Sequence, residues 1–295
     1  MQFLGELYQS QPLIMLSMAA VFALMVGSFL NVVIYRLPII MEREWKTQCQ
    51  EFLGHPDAEK LPAERYNLVV PRSRCPHCDH LISAWENIPV ISYLFQKGRC
   101  RHCDKPISMR YPVTEALTAV LSVMVINHFG LNWSAISLLI LTWGLIALSF
   151  IDFDHHLLPD NLTLPLMWFG LLMAVFGIGT VDVKSAVVGT MIGYASLWTI
   201  FQLFRLATGK EGMGYGDFKL LAVFGAWLGW QQLPLIILLA SFVGAVVGIL
   251  NIVIRKKDKS QPIPFGPFLC TAGFIAMLWG DQITRNYMQL MHIRF

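Results

Sequence analysis

Residues 134–160 read SAISLLILTWGLIALSFIDFDHHLLPD and give the clearest indication of how this chain folds. Residues 134–151 carry no charge and approach the length of about 20 apolar residues that a helix needs to cross a bilayer. Asp152 ends this run. A carboxylate at the edge of a membrane segment is costly, so it usually has a partner or a function. The stretch therefore predicts a membrane helix that ends in a functional aspartate.

Composition extends this interpretation to the whole chain. Of the 295 residues, 55% are hydrophobic and only 14% are charged, which is too apolar for an ordinary soluble protein. We therefore predict an all-α polytopic protein with the lipid bilayer as its partner. It has about eight transmembrane helices, at residues 13–35, 112–128, 134–151, 162–179, 185–206, 217–230, 233–254 and 265–283.

Lysine and arginine predict how these helices are oriented. Residues 36–110 hold twelve of the 22 basic residues, and further basic residues lie in 205–219 and 255–259. Because basic loops stay in the cytoplasm, we expect these regions there, with the N-terminus on the opposite side. Asp152 and Asp217 then both lie at the cytoplasmic edge. The same bias explains the net charge of +3, so we predict no nucleic-acid partner.

Two CxxC pairs form a small module inserted between the first two predicted helices. The pattern Cys-x-His-Cys-Asp-x-x-Ile-Ser occurs at residues 75–83 and again at 100–108. Two such knuckles can close a tetrahedral Zn²⁺ site through Cys75, Cys78, Cys100 and Cys103. The alternatives are free thiols or a pair of disulfides, and disulfides are rare in the reducing cytoplasm. We expect His77, His80 and His102 to be bystanders, and Cys49 and Cys270 to be ordinary thiols.

Eight motifs in order make the chain resemble a known family. The chain is similar to the bacterial type IV prepilin peptidases, bifunctional enzymes of pilus and type II secretion systems that remove a leader and N-methylate the product. The motifs are GSFLNVVIYRLP (27–38), RCPHC (74–78), ENIPVISY (86–93), GRCRHC (98–103), RYPVTE (110–115), IDFDHHLLPD (151–160), GYGDFKL (214–220) and PFGP (264–267).

This resemblance implies a detailed function. It implies an intramembrane aspartic protease of the GxGD type, with Asp152 and Asp217 catalytic, in the bacterial inner membrane with a periplasmic N-terminus. Substrates would be prepilins and pseudopilins, with a short basic leader. The methyl donor would be S-adenosylmethionine, whose binding residues the sequence leaves unknown. The chain would divide into a first transmembrane helix (1–35), a cytoplasmic, methyltransferase-associated zinc-binding loop (36–110) and a seven-helix peptidase core (111–295).

Several residues also have plain structural interpretations. Asp217 and Asp160 could cap the N-termini of their helices. The negative charge of Glu115 could stabilise the N-terminus of the second predicted helix. Asn31 could bond across helices, and Arg36 and Lys219 could reach the lipid headgroups. We expect Asp154 to be a solvated loop residue or to support the catalytic pair from a neighbouring position. We expect His155 and His156 to be solvated, and residues 41–70 to be polar and weakly structured. Pro262, Pro264 and Pro267 would shape the turn into the last helix.

Two nearby carboxylates can share one proton, so that one activates water and the other protonates the scissile carbonyl. The helix dipoles suggest Asp217, which opens a helix, as the resting base, and Asp152, which closes one, as the acid.

Two other classes of protein fit the sequence less well. A proton-coupled transporter would place its carboxylates deep within repeated helices. A scaffold that docks proteins through its zinc module would not need both aspartate motifs.

Overall fold

The structure, a computed structural model, describes residues 2–54, 66–255 and 264–290. Lys256, Lys257, Lys259, Pro262 and Arg294 lie outside these ranges. Within them the chain forms short 3₁₀ helices at Trp85–Asn87 and Trp230–Gln232 and ten α-helices, and no β-strand. The α-helices are α1 (Gln2–Ser10), α2 (Pro12–Leu53), α3 (Ile91–Phe95), α4 (Arg110–Phe129), α5 (Trp133–His155), α6 (Asp160–Val175), α7 (Val183–Thr208), α8 (Tyr215–Leu228), α9 (Leu233–Arg255) and α10 (Gly266–Leu290).

The predicted all-α membrane fold is confirmed, and each predicted segment falls mainly on one helix. Over the described ranges, five helical segments are long and apolar enough to cross a membrane: Pro12–Leu53, Arg110–Phe129, Trp133–His155, Val183–Thr208 and Trp230–Leu250. α6 is apolar but shorter. α8 has 14 residues, so it spans about 21 Å, less than the hydrocarbon thickness of about 30 Å.

The chain divides into two compact units. The N-terminal unit comprises Glu6–Asn127 and contains α2, the cysteine module and α4. The C-terminal unit comprises Met1–Gly5 and His128–Phe295, with helices α5 to α10. Asp152 and Asp217 therefore belong to one unit and the four cysteines to the other.

The expectation of a weakly structured stretch at 41–70 is wrong for its first part, because α2 continues without interruption to Leu53. Pro38 lies inside this helix, and Gly54 ends it in the left-handed conformation. Polar residues had suggested a loop, but residues 41–53 contain no proline or glycine to stop the helix. The stretch at 67–70, by contrast, is irregular.

Helix α8 is the interior element of the C-terminal unit, with nearly every residue from Asp217 to Leu228 buried. The indole nitrogen of Trp227 donates to the backbone oxygen of Leu166 in α6 at 2.9 Å. Helix α7 crosses so closely that a Cβ on Gly225 would overlap the carbonyl of Gly189. A helix that is apolar on all sides belongs inside a bundle.

This packing has a particular physical basis in a membrane. Lipid chains are as apolar as leucine, so association there depends on close van der Waals packing and hydrogen bonds between helices. The glycine crossing and the Trp227 bond supply both. The first turn of α8, which carries Asp217, is therefore held in place by the surrounding helices.

Candidate aspartate site and cysteine cluster

The structure brings Asp152 and Asp217 together, as the sequence predicted. Asp152 lies in the last turn of α5 and Asp217 in the first turn of α8, and the two are close enough for their charges to interact. Their side chains are nearly withdrawn from the surface, since Asp152 is 6% exposed and Asp217 8%. The arrangement is a buried carboxylate pair built from two separate helices.

A third helix supplies a contact that the sequence analysis missed. The backbone N–H of Gly266, the first residue of α10, donates to Oδ2 of Asp152 at 2.9 Å. A Cβ at this position would lie 2.6 Å from the same oxygen, so only glycine allows the approach. The PFGP motif marked the position, but no residue type in it indicates that its backbone meets Asp152.

This contact changes the proposed acid and base assignment. The sequence argument placed the resting proton on Asp152 because α5 ends there. However, the N–H of Gly266 and the N-terminus of α10 both stabilise a negative charge on Asp152. Asp217 receives comparable help from the start of α8. The N-terminus of α10 thus opposes the effect of the α5 C-terminus on Asp152, so helix ends no longer distinguish the acid from the base.

The loop between α5 and α6 packs beside the carboxylate pair. His156 ends α5 in the left-handed conformation, with a φ of 52°. Leu158 then turns inward and is buried against the backbones of Gly216 and Gly266, where added Cβ atoms would lie 2.7 and 3.2 Å from its side chain. This leucine joins the two glycine-containing segments that flank the aspartates.

Two polar residues near the pair have different partners from those expected. Both oxygens of Asp160 accept from Lys219 Nζ at 2.7 Å, which ties the start of α6 to α8. Asp160 therefore does not cap the backbone of α6, and Lys219 is engaged with Asp160 instead of reaching for headgroups. Asp154, His155 and His156 are exposed, as predicted, although His156 interacts electrostatically with Asp152.

Cys270 is not the isolated thiol that the sequence suggested. It is buried on α10, forms a hydrogen bond with the Ser149 side chain, and is close enough to interact electrostatically with both aspartates. Cys49 is an exposed thiol on α2, as expected. No sequence signal distinguished these two cysteines, because only the packing of α10 against α5 brings Cys270 to the site.

The four cysteines of the two knuckles converge in the N-terminal unit. The sulfurs of Cys75, Cys78, Cys100 and Cys103 all lie within 4.8 Å of one another, and none is in a disulfide. Cys75 and Cys103 Sγ are 3.8 Å apart. Tetrahedral Zn²⁺ with bonds of about 2.3 Å requires sulfurs about 3.8 Å apart. The cluster could therefore hold a metal ion of this kind.

The backbone of each knuckle explains why the sulfurs converge. Cys75 N–H donates to His80 O, and Cys100 N–H donates to Lys105 O, each at 2.9 Å. Asp79 and Asp104 take equivalent left-handed conformations, with φ of 54° and 56°. The sequence repeat is thus a structural repeat. The rings of His80 and His102 stack on each other at 5.0 Å, outside the four-sulfur group, as expected for bystanders.

The thiols of the first knuckle differ in acidity. The backbone N–H of His77 lowers the pKa of Cys75 to about 6, against the effect of burial. For Cys78 the N–H of His80 lowers the pKa, but burial and hydrogen bonds to neighbouring cysteines outweigh it and raise the pKa to about 12. Crowded thiols cannot all ionise without a cation between them, so metal binding would release protons.

Two buried polar residues anchor the loop that surrounds the cysteine module. The guanidinium of Arg36 donates to the backbone oxygens of Asn67 at 3.0 Å and Pro71 at 2.6 Å, so it does not snorkel to the headgroups as suggested. The carboxylate of Glu115 accepts from the backbone N–H of Val90 at 2.8 Å, so it holds this loop and does more than stabilise the start of its own helix. Asn31 bonds to α4 through the Tyr111 carbonyl, as predicted.

Together these features define a class: a polytopic helical membrane protein with a buried aspartate pair in one unit and a cluster of four cysteines in the other. A family model described as the bacterial peptidase A24 N-terminal domain matches residues 21–129, and one described as the type IV leader peptidase family matches residues 139–249.

Relatives extend this similarity over the whole chain. The prepilin leader peptidase/N-methyltransferase of Stutzerimonas stutzeri is 53% identical, and those of Aeromonas hydrophila and Legionella pneumophila are 55% and 47% identical. Each match covers at least 97% of this chain and 98% of the relative. The chain therefore belongs to the prepilin leader peptidase/N-methyltransferase family. No solved structure matches it significantly.

Metal analysis of the purified protein should find about one Zn²⁺ per chain. Cys75→Ser and Cys100→Ser should each lose it, because three thiolates do not complete the tetrahedral site. Cys49→Ser, an exposed thiol outside the cluster, is the matched control and should keep the metal. Stoichiometric zinc in both cluster variants would exclude this site.

Gly266→Ala should displace the Asp152 carboxylate, because the new Cβ would lie 2.6 Å from Oδ2. If Asp152 is catalytic, peptide cleavage should fall by about a hundredfold, the cost of a misplacement near 1 Å. Thr271→Ala, at an exposed position five residues along the same helix, is the control and should cleave normally. Unchanged cleavage by a folded Gly266→Ala enzyme would show that this backbone contact has no catalytic importance.

Proposed function

We propose that this protein cleaves the leader from type IV prepilins and type II secretion pseudopilins and then N-methylates the new N-terminus. Asp152 and Asp217 would perform the cleavage. The observation that carries this proposal is the buried pair itself: two carboxylates from separate helices, close enough to interact, with no buried cation beside them among the described residues. The names of the related enzymes agree with both activities.

The chemistry of the pair follows from its geometry. When two interacting carboxylates share one proton, one of them can accept a proton while the other donates one. The ionised member takes a proton from water, whose oxygen attacks the scissile carbonyl carbon. The protonated member gives its proton to the carbonyl oxygen. The bond from Gly266 holds the Asp152 carboxylate in a fixed orientation, so little reorganisation is needed before the attack.

The substrate class follows from the position of the site. Asp152 and Asp217 lie at helix ends, and the distribution of basic residues favours a cytoplasmic position for both ends. From the family we infer that the membrane is the bacterial inner membrane and that the N-terminus lies in the periplasm. A prepilin has a basic cytoplasmic leader followed by an apolar helix. It can therefore present its junction at this edge, with glycine before the cut and commonly phenylalanine after it.

Methylation would belong to the cytoplasmic part of the protein, residues 36–110, while residues 111–295 would form the peptidase core. S-adenosylmethionine supplies a methyl group on a sulfonium. When bound, it would donate this methyl group to the free α-amine of the cleaved product, leaving a neutral thioether, and the proton of the amine would pass to water. Zn²⁺ held by Cys75, Cys78, Cys100 and Cys103 would be structural, because four thiolates leave no open position for a substrate.

Asp152→Asn and Asp217→Asn should each abolish leader cleavage in a purified enzyme given a prepilin. Each change keeps the size of the side chain and removes its ability to exchange protons. Asp154→Asn, an exposed aspartate two residues beyond Asp152, is the matched control and should cleave normally. Full cleavage by either asparagine variant would exclude the aspartate pair as the catalytic group. Failure of the control would indicate a folding defect.

The two activities should separate. Asp217→Asn given a pilin that already lacks its leader should still methylate its N-terminus, because the polar donor is expected to bind outside the membrane core. Transfer of a labelled methyl group measures this directly, and thermal unfolding checks the fold. If a folded Asp217→Asn enzyme transferred no methyl group, one shared active site would be the better description.

A further inference from the structure

The cysteine module carries a cavity that neither the aspartate pair nor the metal cluster uses. Its volume is about 540 Å³, within the range of about 300–1,000 Å³ typical of small-molecule sites. Trp85, Glu86, Phe95, Arg101 and Asp104 are among its lining residues. All of them lie in the N-terminal unit and outside the apolar helices.

Two aromatic rings at this cavity are unusually exposed. Trp85 is 80% exposed and Phe95 is 84% exposed, although neither belongs to a segment that could cross the membrane. Ile91, which also lines the cavity, is 49% exposed. Large apolar side chains grouped with a few charged ones around a cleft indicate a binding site, and aromatic faces suit flat heterocycles and cations.

Charges of both signs line the same cavity. The Glu86 carboxylate is fixed by the backbone N–H and the hydroxyl of Ser83, at 2.9 and 2.8 Å. These bonds lower the pKa of Glu86, so it is anionic at neutral pH. Arg101 lies within electrostatic reach of it. Arg99 and Asp104 form a second ion pair at 3.2 Å. The walls therefore offer both a cation and anions to a ligand of mixed charge.

The cavity is held in shape from two sides. On one side it includes Cys100, a member of the metal cluster. On the other side Val90 has a φ of 59° and a ψ of −48°, a backbone conformation that is strained for a β-branched residue. Glu115 stabilises this turn by accepting the Val90 N–H, and the turn directs Ile91 to the wall. Strained backbone of this kind is often kept at ligand sites.

We propose that this cavity binds the methyl donor, S-adenosylmethionine. The donor combines a flat adenine, a ribose diol, a sulfonium cation and an amino-acid group with both charges. Trp85 and Phe95 supply faces for the adenine or the sulfonium, Glu86 supplies an anion, and Arg101 supplies a cation for the carboxylate. This inference rests on the proposed methyltransferase function and assigns residues to its donor site.

The test is equilibrium binding of sinefungin, an unreactive analogue of the donor, to the full-length enzyme in detergent. Trp85→Ala and Phe95→Ala should each weaken binding by about tenfold, because each removes an aromatic face. The matched controls are Trp45→Ala and Phe52→Ala, exposed aromatic residues on α2 outside the cavity. Zinc content and thermal unfolding check that every variant is folded.

A second measurement requires no variant. Sinefungin should slow hydrogen exchange of the wild-type backbone within residues 85–104 and leave the last part of α2 unchanged. If the wild-type enzyme binds sinefungin but the double variant Trp85→Ala/Phe95→Ala binds it equally well, the cavity is not the donor site and the proposed function stands. If the wild-type enzyme neither binds sinefungin nor transfers methyl groups, the proposed methyltransferase function fails, and this assignment fails with it.

Discussion

A carboxylate removed from water must find hydrogen-bond donors in the protein, and the C-terminal unit is organised around this requirement. Asp152 obtains the backbone N–H of Gly266, and Asp217 lies at the start of α8, where free N–H groups favour a negative charge. Both solutions use the beginning of a helix. Helices α5, α8 and α10 must therefore meet at their ends, and the close packing of α8 against α6 and α7 keeps one of those ends in place.

The salt bridge between Lys219 and Asp160 belongs to the same arrangement. It connects α8, two residues after Asp217, to the start of α6. The loop that it closes contains Leu158, which packs on Gly216 and Gly266. An ion pair that is partly exposed adds little stability by itself. The ion pair between Lys219 and Asp160 matters here because it holds the loop in position beside the aspartates, while the Lys219 ammonium stays engaged with Asp160.

The sequence predicted the helices, the aspartate pair and the cysteine cluster, because each leaves a local pattern: apolar runs of membrane length, carboxylates at their edges and a repeated knuckle. It could not predict contacts between distant segments. Gly266 meets Asp152 across 114 positions of the chain, and Arg36 meets backbone carbonyls of a later loop. Such contacts depend on a backbone atom, which no residue type reveals. The end of α2 was misjudged because polar residues suit an exposed helix as well as a loop.

The length of α2 has a mechanical consequence. Its 42 residues form a rod of about 63 Å, roughly twice the thickness of the hydrocarbon layer. Even a tilted rod of this length must emerge from the lipid. Arg36 ties the irregular loop to the rod well before its tip, and residues 37–53 extend about 25 Å further. The irregular loop before the cysteine module is thus attached near the middle of this helix, and the Arg43 guanidinium attaches it again further along, 4.3 Å from the centre of the Tyr66 ring. One unbroken helix therefore carries this loop from the membrane segment of α2 into the aqueous phase.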